Sequence, residues 1–179
     1  MNHKDILDTA LDLGLSGAAI LPVGDVVTDP AFRDACAANR CGMYGKCWTC
    51  PPDVGDIHEL IGILRQYRWA LLYQNIGLLE DSYDIEGMHE AGSHHVKMGR
   101  ALLKALVPSL GENVLHLSAG GCRFCSRCAK LDGLPCRAPE EALSSLEAYG
   151  VDVYQTVNNT SLKYVNGQNT VTYFGMILF

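Results

Sequence analysis

The chain has 179 residues, 48% of them hydrophobic and 19% charged, which supports a packed core and excludes global disorder. A net charge of −6 argues against nucleic acid as the main partner, and no apolar run reaches the length of a membrane span. One domain over residues 1–179 fits this length.

The polar start, Met1-Asn2-His3-Lys4-Asp5, has no apolar signal core or small-residue cleavage site, so a cytoplasmic protein is expected. Apolar residues at 6, 7, 10 and 11 predict a first amphipathic helix. After Gly14 and Gly17, residues 18–23 read as a strand, and Pro30 to Ala38 as a second helix. Residues 40–55 have no apolar period and carry Gly42, Gly45, Pro51, Pro52 and Gly55, so they form a loop. Asp56 and Glu59 resemble a capping box opening a helix to about Tyr67.

Trp69 to Gly77 predicts a strand. Ile85, Met88, Gly92, His95, Gly99, Leu102 and Leu106 share one helical stripe, so residues 84–107 form the longest helix, stopped by Pro108 and Gly111. Asn113 to Ser118 is a third strand, and Gly120-Gly121 open a second loop. Pro139, Glu140 and Glu141 start a helix that Gly150 closes. Val151 to Tyr154 resumes strand character, and Leu162–Val165 with Thr170–Phe174 flank Asn166-Gly167 as a hairpin. The alternation implies an α/β or α+β fold, a single-domain sandwich with a mixed sheet, helices packed on it and two cysteine-rich cluster-binding loops.

All eight cysteines fall in two windows: Cys36, Cys41, Cys47 and Cys50, then Cys122, Cys125, Cys128 and Cys136. In a reducing compartment such clustering points to metal ligation or catalysis rather than disulfides. Cys122, Cys125 and Cys128 are spaced by three, like the start of a bacterial ferredoxin run, with Cys136 as the fourth ligand. Serial thiolates at this spacing favour a [4Fe-4S] cluster; tetrahedral zinc, which usually pairs two separate Cys-x-x-Cys knuckles, is the alternative.

The first window is less regular, though Pro51 after Cys50 matches the Cys-Pro ending of such motifs. A second cluster is the leading expectation there, with zinc or redox-active thiols as alternatives; on a predicted helix, Cys36 could instead be a buried structural thiol. Of 14 Lys and Arg, seven lie within the windows: Arg33, Arg40, Lys46, Arg123, Arg127, Lys130 and Arg137. Cations there would stabilise an anionic cluster, and one or two of the arginines could bind an anion.

His89-Glu90 and His94 lack the i, i+4 spacing of a zinc-protease helix, and His95 reads as a core histidine. Gly120-Gly121 would let the backbone approach a cluster, with Tyr44 and Trp48 shielding it from water.

On four segments the chain resembles the family labelled predicted metal-binding protein, the cysteine-rich domain of unknown function 2284. They are Cys41-Gly-Met-Tyr-Gly-Lys-Cys-Trp-Thr-Cys50-Pro-Pro, Cys122-Arg-Phe-Cys-Ser-Arg-Cys-Ala, Gly133-Leu-Pro-Cys-Arg-Ala-Pro139, and Ser145-Leu-Glu-Ala-Tyr-Gly-Val-Asp-Val153. The resemblance implies metal binding, with iron–sulfur clusters expected, often in anaerobic organisms. It carries over onto Cys36, Cys41, Cys50, Cys122, Cys125, Cys128 and Cys136, whereas the place of Cys47 is often not cysteine in the family. Three protein ligands would leave one iron open.

Three functions compete. The leading one is electron transfer through two clusters, with a redox partner protein. The second is an enzyme whose open cluster reduces, dehydrates or desulfurises a small anionic substrate held by Arg40, Lys46 or Arg123. The third is a structural zinc module for protein interactions.

Overall fold

The computed structural model describes residues 2–179. Five strands form one mixed sheet in the order β1-β2-β5-β3-β4: β1 Gly17–Pro22, β2 Trp69–Leu78, β3 Leu115–Ser118, β4 Ser144–Ser145 and β5 Thr170–Leu178. β2 and β5 are the long antiparallel pair at its middle, in register from Ala70 opposite Leu178 to Leu78 opposite Thr170. β1 pairs antiparallel with β2, β3 antiparallel with β5, and the short β4 runs parallel to β3. Pro22 ends β1 at the sheet edge, where a missing N–H is tolerated.

Both faces of the sheet are covered, which explains why its central strands read as apolar runs rather than alternations. One face sends Leu71, Tyr73 and Ile177 into a core with Leu102 and Leu106 of α4 (Ile85–Leu110) and Ile6 and Ala10 of α1 (His3–Asp12). The other sends Leu72, Leu117 and Met176 against Leu64 of α3 (Ile57–Leu64), Leu146, and Val157 of α5 (Val153–Asn158). Asn2 and Asp5 close a reciprocal capping box on α1, and Asp56 caps α3 by accepting from the His58 N–H at 2.8 Å.

α4 is 26 residues long, about 39 Å. Its predicted stripe is buried from Gly92 onward, with His95, Gly99, Leu102 and Leu106 facing the sheet, whereas Ile85 at its start is exposed. Gly99 and Gly175 are required by one neighbour, because a Cβ on either would overlap the Tyr73 hydroxyl. That hydroxyl hydrogen-bonds His116 Nε2 at 2.7 Å, and His95 Nδ1 meets Asn75 Oδ1 at 2.9 Å. Burial pushes His95 down to about 4 and His116 down to about 3, so both are neutral core groups at neutral pH.

Four local expectations change. Pro108 does not stop α4, which continues to Leu110; so near the end only one backbone bond is forfeited, and Gly111 at φ 86° makes the turn. Residues 139–150 form no helix. They make single turns at Pro139–Glu141 and Glu147–Tyr149 around β4, because the free edge of β3 captures Ser144 and Ser145. Val151 only bridges Thr28, and Asp152 accepts from the Gln155 N–H at 2.9 Å to cap α5 where a strand was expected. Residues 162–165 do not join the sheet. The Asn166 amide instead donates to Lys163 O and Thr172 Oγ1, tying that segment to β5 without a ladder.

A candidate metal centre between two cysteine loops

The first cysteine window begins on α2 (Phe32–Ala37) and continues through the loop to α3; the second follows the end of β3. Several contacts join these loops. Trp48 Nε1 donates to Leu134 O at 3.0 Å, and Lys130 pairs with Asp53. The Lys130 ammonium also lies 4.6 Å over the Trp48 ring. Gly121 packs on Cys50, where a Cβ would lie 3.2 Å from the sulfur, and Cys47 lines the same cavity as Cys122. Segments some 70 residues apart in sequence thus form one unit. Gly121 brings backbone against a cysteine sulfur.

All eight cysteines are free thiols. They line two neighbouring cavities. The larger, about 380 Å³, is walled by Cys36, Cys41 and Cys50 together with Arg40, Tyr44 and Glu147. The smaller, about 20 Å³, is closed around Cys47, Cys122, Cys125, Cys128 and Cys136. Spatial grouping therefore differs from sequence grouping at one residue: Cys47 faces the second set. Among the described residues no three His, Cys, Asp or Glu side chains converge tightly enough to hold a single metal ion.

Cys47 is the hinge between the sets. Its buried thiol shares a cavity with Cys122 and lies 3.3 Å from the Thr49 hydroxyl. The neighbouring Cys122 and Cys50 thiols hold it well below the ordinary thiol range. The proximity of Cys47, reinforced by burial, pushes Cys50 and Cys122 up. Burial also raises Cys36, against the pull of Arg33. Without a cation only one of these neighbouring sulfurs can ionise, and a nearby metal would favour the thiolate form. A crowded, all-thiol donor set of this kind fits a soft thiolate-bound metal.

The cations of the two windows are mostly committed to holding the loops. Arg33 donates to Gly55 O at 2.8 Å, Arg127 pairs with Asp132 at 2.9 Å, and Arg137 donates to Arg127 O at 3.0 Å. Arg40, Lys46 and Arg123 are the exceptions, making no side-chain hydrogen bond or ion pair among the described residues, and Arg40 lines the larger cavity. Arg123 faces another cleft, about 240 Å³, with Lys97 and Arg100 and no acidic side chain on its wall. Arg100 stacks on the Phe124 ring at 4.8 Å, and Phe124 lines the five-thiol cavity. Tyr44 walls the three-thiol cavity and Trp48 the five-thiol one.

Sequence reasoning did not single out Glu147 or the Asp53–Lys130 pair. Neither has a local signal: Glu147 reaches the site only because β4 pairs with β3, and Asp53 meets its partner 77 positions away.

Residues 19–179 match the family described as Predicted metal-binding protein (DUF2284). The chain belongs to that family. It is thus a predicted metal-binding protein with eight cysteines, on a mixed α/β fold with a five-stranded sheet. No curated protein and no solved structure matches it. No helix among the described residues is long and apolar enough to cross a membrane.

Proposed function

We propose that the chain is a two-centre iron–sulfur protein that passes single electrons to and from a protein partner. The observation carrying this is the adjacency of the two thiol-lined cavities: Cys47 lines one and Cys50 the other, and Gly121, next to Cys122, packs on the Cys50 sulfur. Two adjacent redox centres suit a relay.

Iron–sulfur is preferred to zinc on the donor chemistry: the site has eight thiols and no histidine, and it contains the Cys122-x-x-Cys125-x-x-Cys128 run. Cys122, Cys125, Cys128 and Cys136 would hold one [4Fe-4S] cluster, with Cys47 against it, and Cys36, Cys41 and Cys50 the other. Bound clusters would supply one-electron storage. The chain's own residues do the rest. Trp48 and Phe124 wall the second cavity with apolar surface, and the Lys130–Asp53 pair clamps one loop on the other. The Lys97, Arg100 and Arg123 cleft offers a cationic landing beside Phe124 on a chain that is otherwise net negative. An acidic redox protein is the partner this surface complements.

The test is electron paramagnetic resonance on anaerobically purified, fully reduced protein. Two centres this close should couple, so signals broadened by a spin–spin interaction are expected, with two one-electron steps in a potentiometric titration. A silent protein that holds zinc alone would overturn the proposal in favour of a structural module.

A further inference from the structure

We propose that the larger cavity is a ligand site: its metal centre is held by only Cys36, Cys41 and Cys50, and the fourth position takes the thiol of a small carboxylate-bearing molecule anchored by Arg40. This rests on the iron–sulfur reading above.

Three observations carry it. First, the residue that would complete a four-thiol set is turned away. Cys47 lines the other cavity, with Cys122, and lies 3.3 Å from the Thr49 hydroxyl. Second, the three-thiol cavity has space for a ligand: its volume of about 380 Å³ lies in the range of small-molecule sites.

Third, the wall of that cavity is chemically selective. Phe32, Met43 and Tyr44 make it largely apolar, and Arg40 is its one cation, uncommitted where Arg33, Arg127 and Arg137 are pinned. A guanidinium recognises a carboxylate through paired hydrogen bonds. Glu147 also lies on this wall. A soft sulfur donor replaces the missing cysteine thiolate, and the carboxylate meets Arg40. Coordination exchanges one ligand for another, the proton of the incoming thiol passing to solvent, and no electron moves.

Mercaptoacetate, with five heavy atoms, is the probe. It should be titrated into anaerobically loaded full-length protein and followed by electron paramagnetic resonance of the reduced state, with iron and sulfide counted in every sample. The expected result is a saturable shift in one of the two cluster signals. Ethanethiol and acetate should each need at least tenfold more to reach half-effect. Arg40→Gln should raise the half-saturating mercaptoacetate concentration about tenfold without changing iron content. Cys47→Ser should keep both clusters and the shift, and Cys47→Ala guards against a serine oxygen acting as a ligand. Loss of the shifting cluster in both Cys47 variants, or two intact clusters blind to mercaptoacetate, would overturn this inference while leaving the two-cluster reading standing. A protein without iron would instead overturn the reading beneath it.

Discussion

Removing Lys130 tests whether the two cysteine loops are one structural unit. Its ammonium pairs with Asp53 and lies over Trp48, and only 18% and 17% of the two charged side chains are exposed. Breaking a fully buried pair costs about 3–5 kcal/mol, because the remaining charge is stranded. An exposed pair is worth about 0–1 kcal/mol. Partial exposure places Lys130→Met between these limits, at about 2 kcal/mol. For a chain of this size that lowers the melting temperature by about 4–8 °C. Asp53→Asn alone should cost a similar amount, by stranding the lysine. The double variant should recover at least half of the loss, since neither charge is then left unpaired. Denaturant unfolding of the four proteins gives the coupling energy, and iron content after anaerobic loading shows whether the clamp also matters for the metal. Single variants within about 0.5 kcal/mol of the parent, with additive effects, would refute the claim that this pair holds the loops together.

Other perturbations follow from the same contacts. Gly121→Val should lower the iron retained at the three-thiol cavity, because even a Cβ there sits 3.2 Å from the Cys50 sulfur; unchanged metal content and spectra would contradict this. Gly99→Ala should destabilise by about 1–3 kcal/mol through overlap with the Tyr73 hydroxyl, and Tyr73→Phe in the same chain should restore part of it, as read by thermal unfolding. His95 and His116 titrate near 4 and 3 when folded and near 6.5 when unfolded, so between those limits the unfolded chain binds more protons. Stability should therefore be complete above about pH 6.5 and fall as the pH drops toward 4. Denaturation midpoints across that range should show the slope, and His116→Gln should flatten it.

Much of the scaffold is legible in the sequence because its central elements are long and carry strong patterns. α4 shows its buried stripe over several turns, and β2 and β5 announce themselves as apolar runs covered on both faces. Where the sequence misleads, a distant partner decides. Residues 144–145 become a strand because β3 has a free edge, against the helix-start chemistry of Pro139 and the two glutamates. α5 depends on the Asp152 cap, a signal present in the sequence but outweighed by the β-branched pair Val151 and Val153. The eight thiols themselves stand out by spacing alone. Their division does not: Cys47 is three residues from Cys50, yet it lines the cavity built by residues 75 to 89 positions downstream. Spacing is a local property, and the packing of the 40–55 loop on the 120–137 loop is not.

The central claim is that these thiols hold inorganic iron and sulfide, and metal analysis with Mössbauer spectroscopy of anaerobically purified protein tests it most directly. Two clusters require about eight iron and eight acid-labile sulfide per chain, with the spectrum of tetrahedral sulfur-ligated iron. Two equivalents of zinc with neither iron nor sulfide would contradict it.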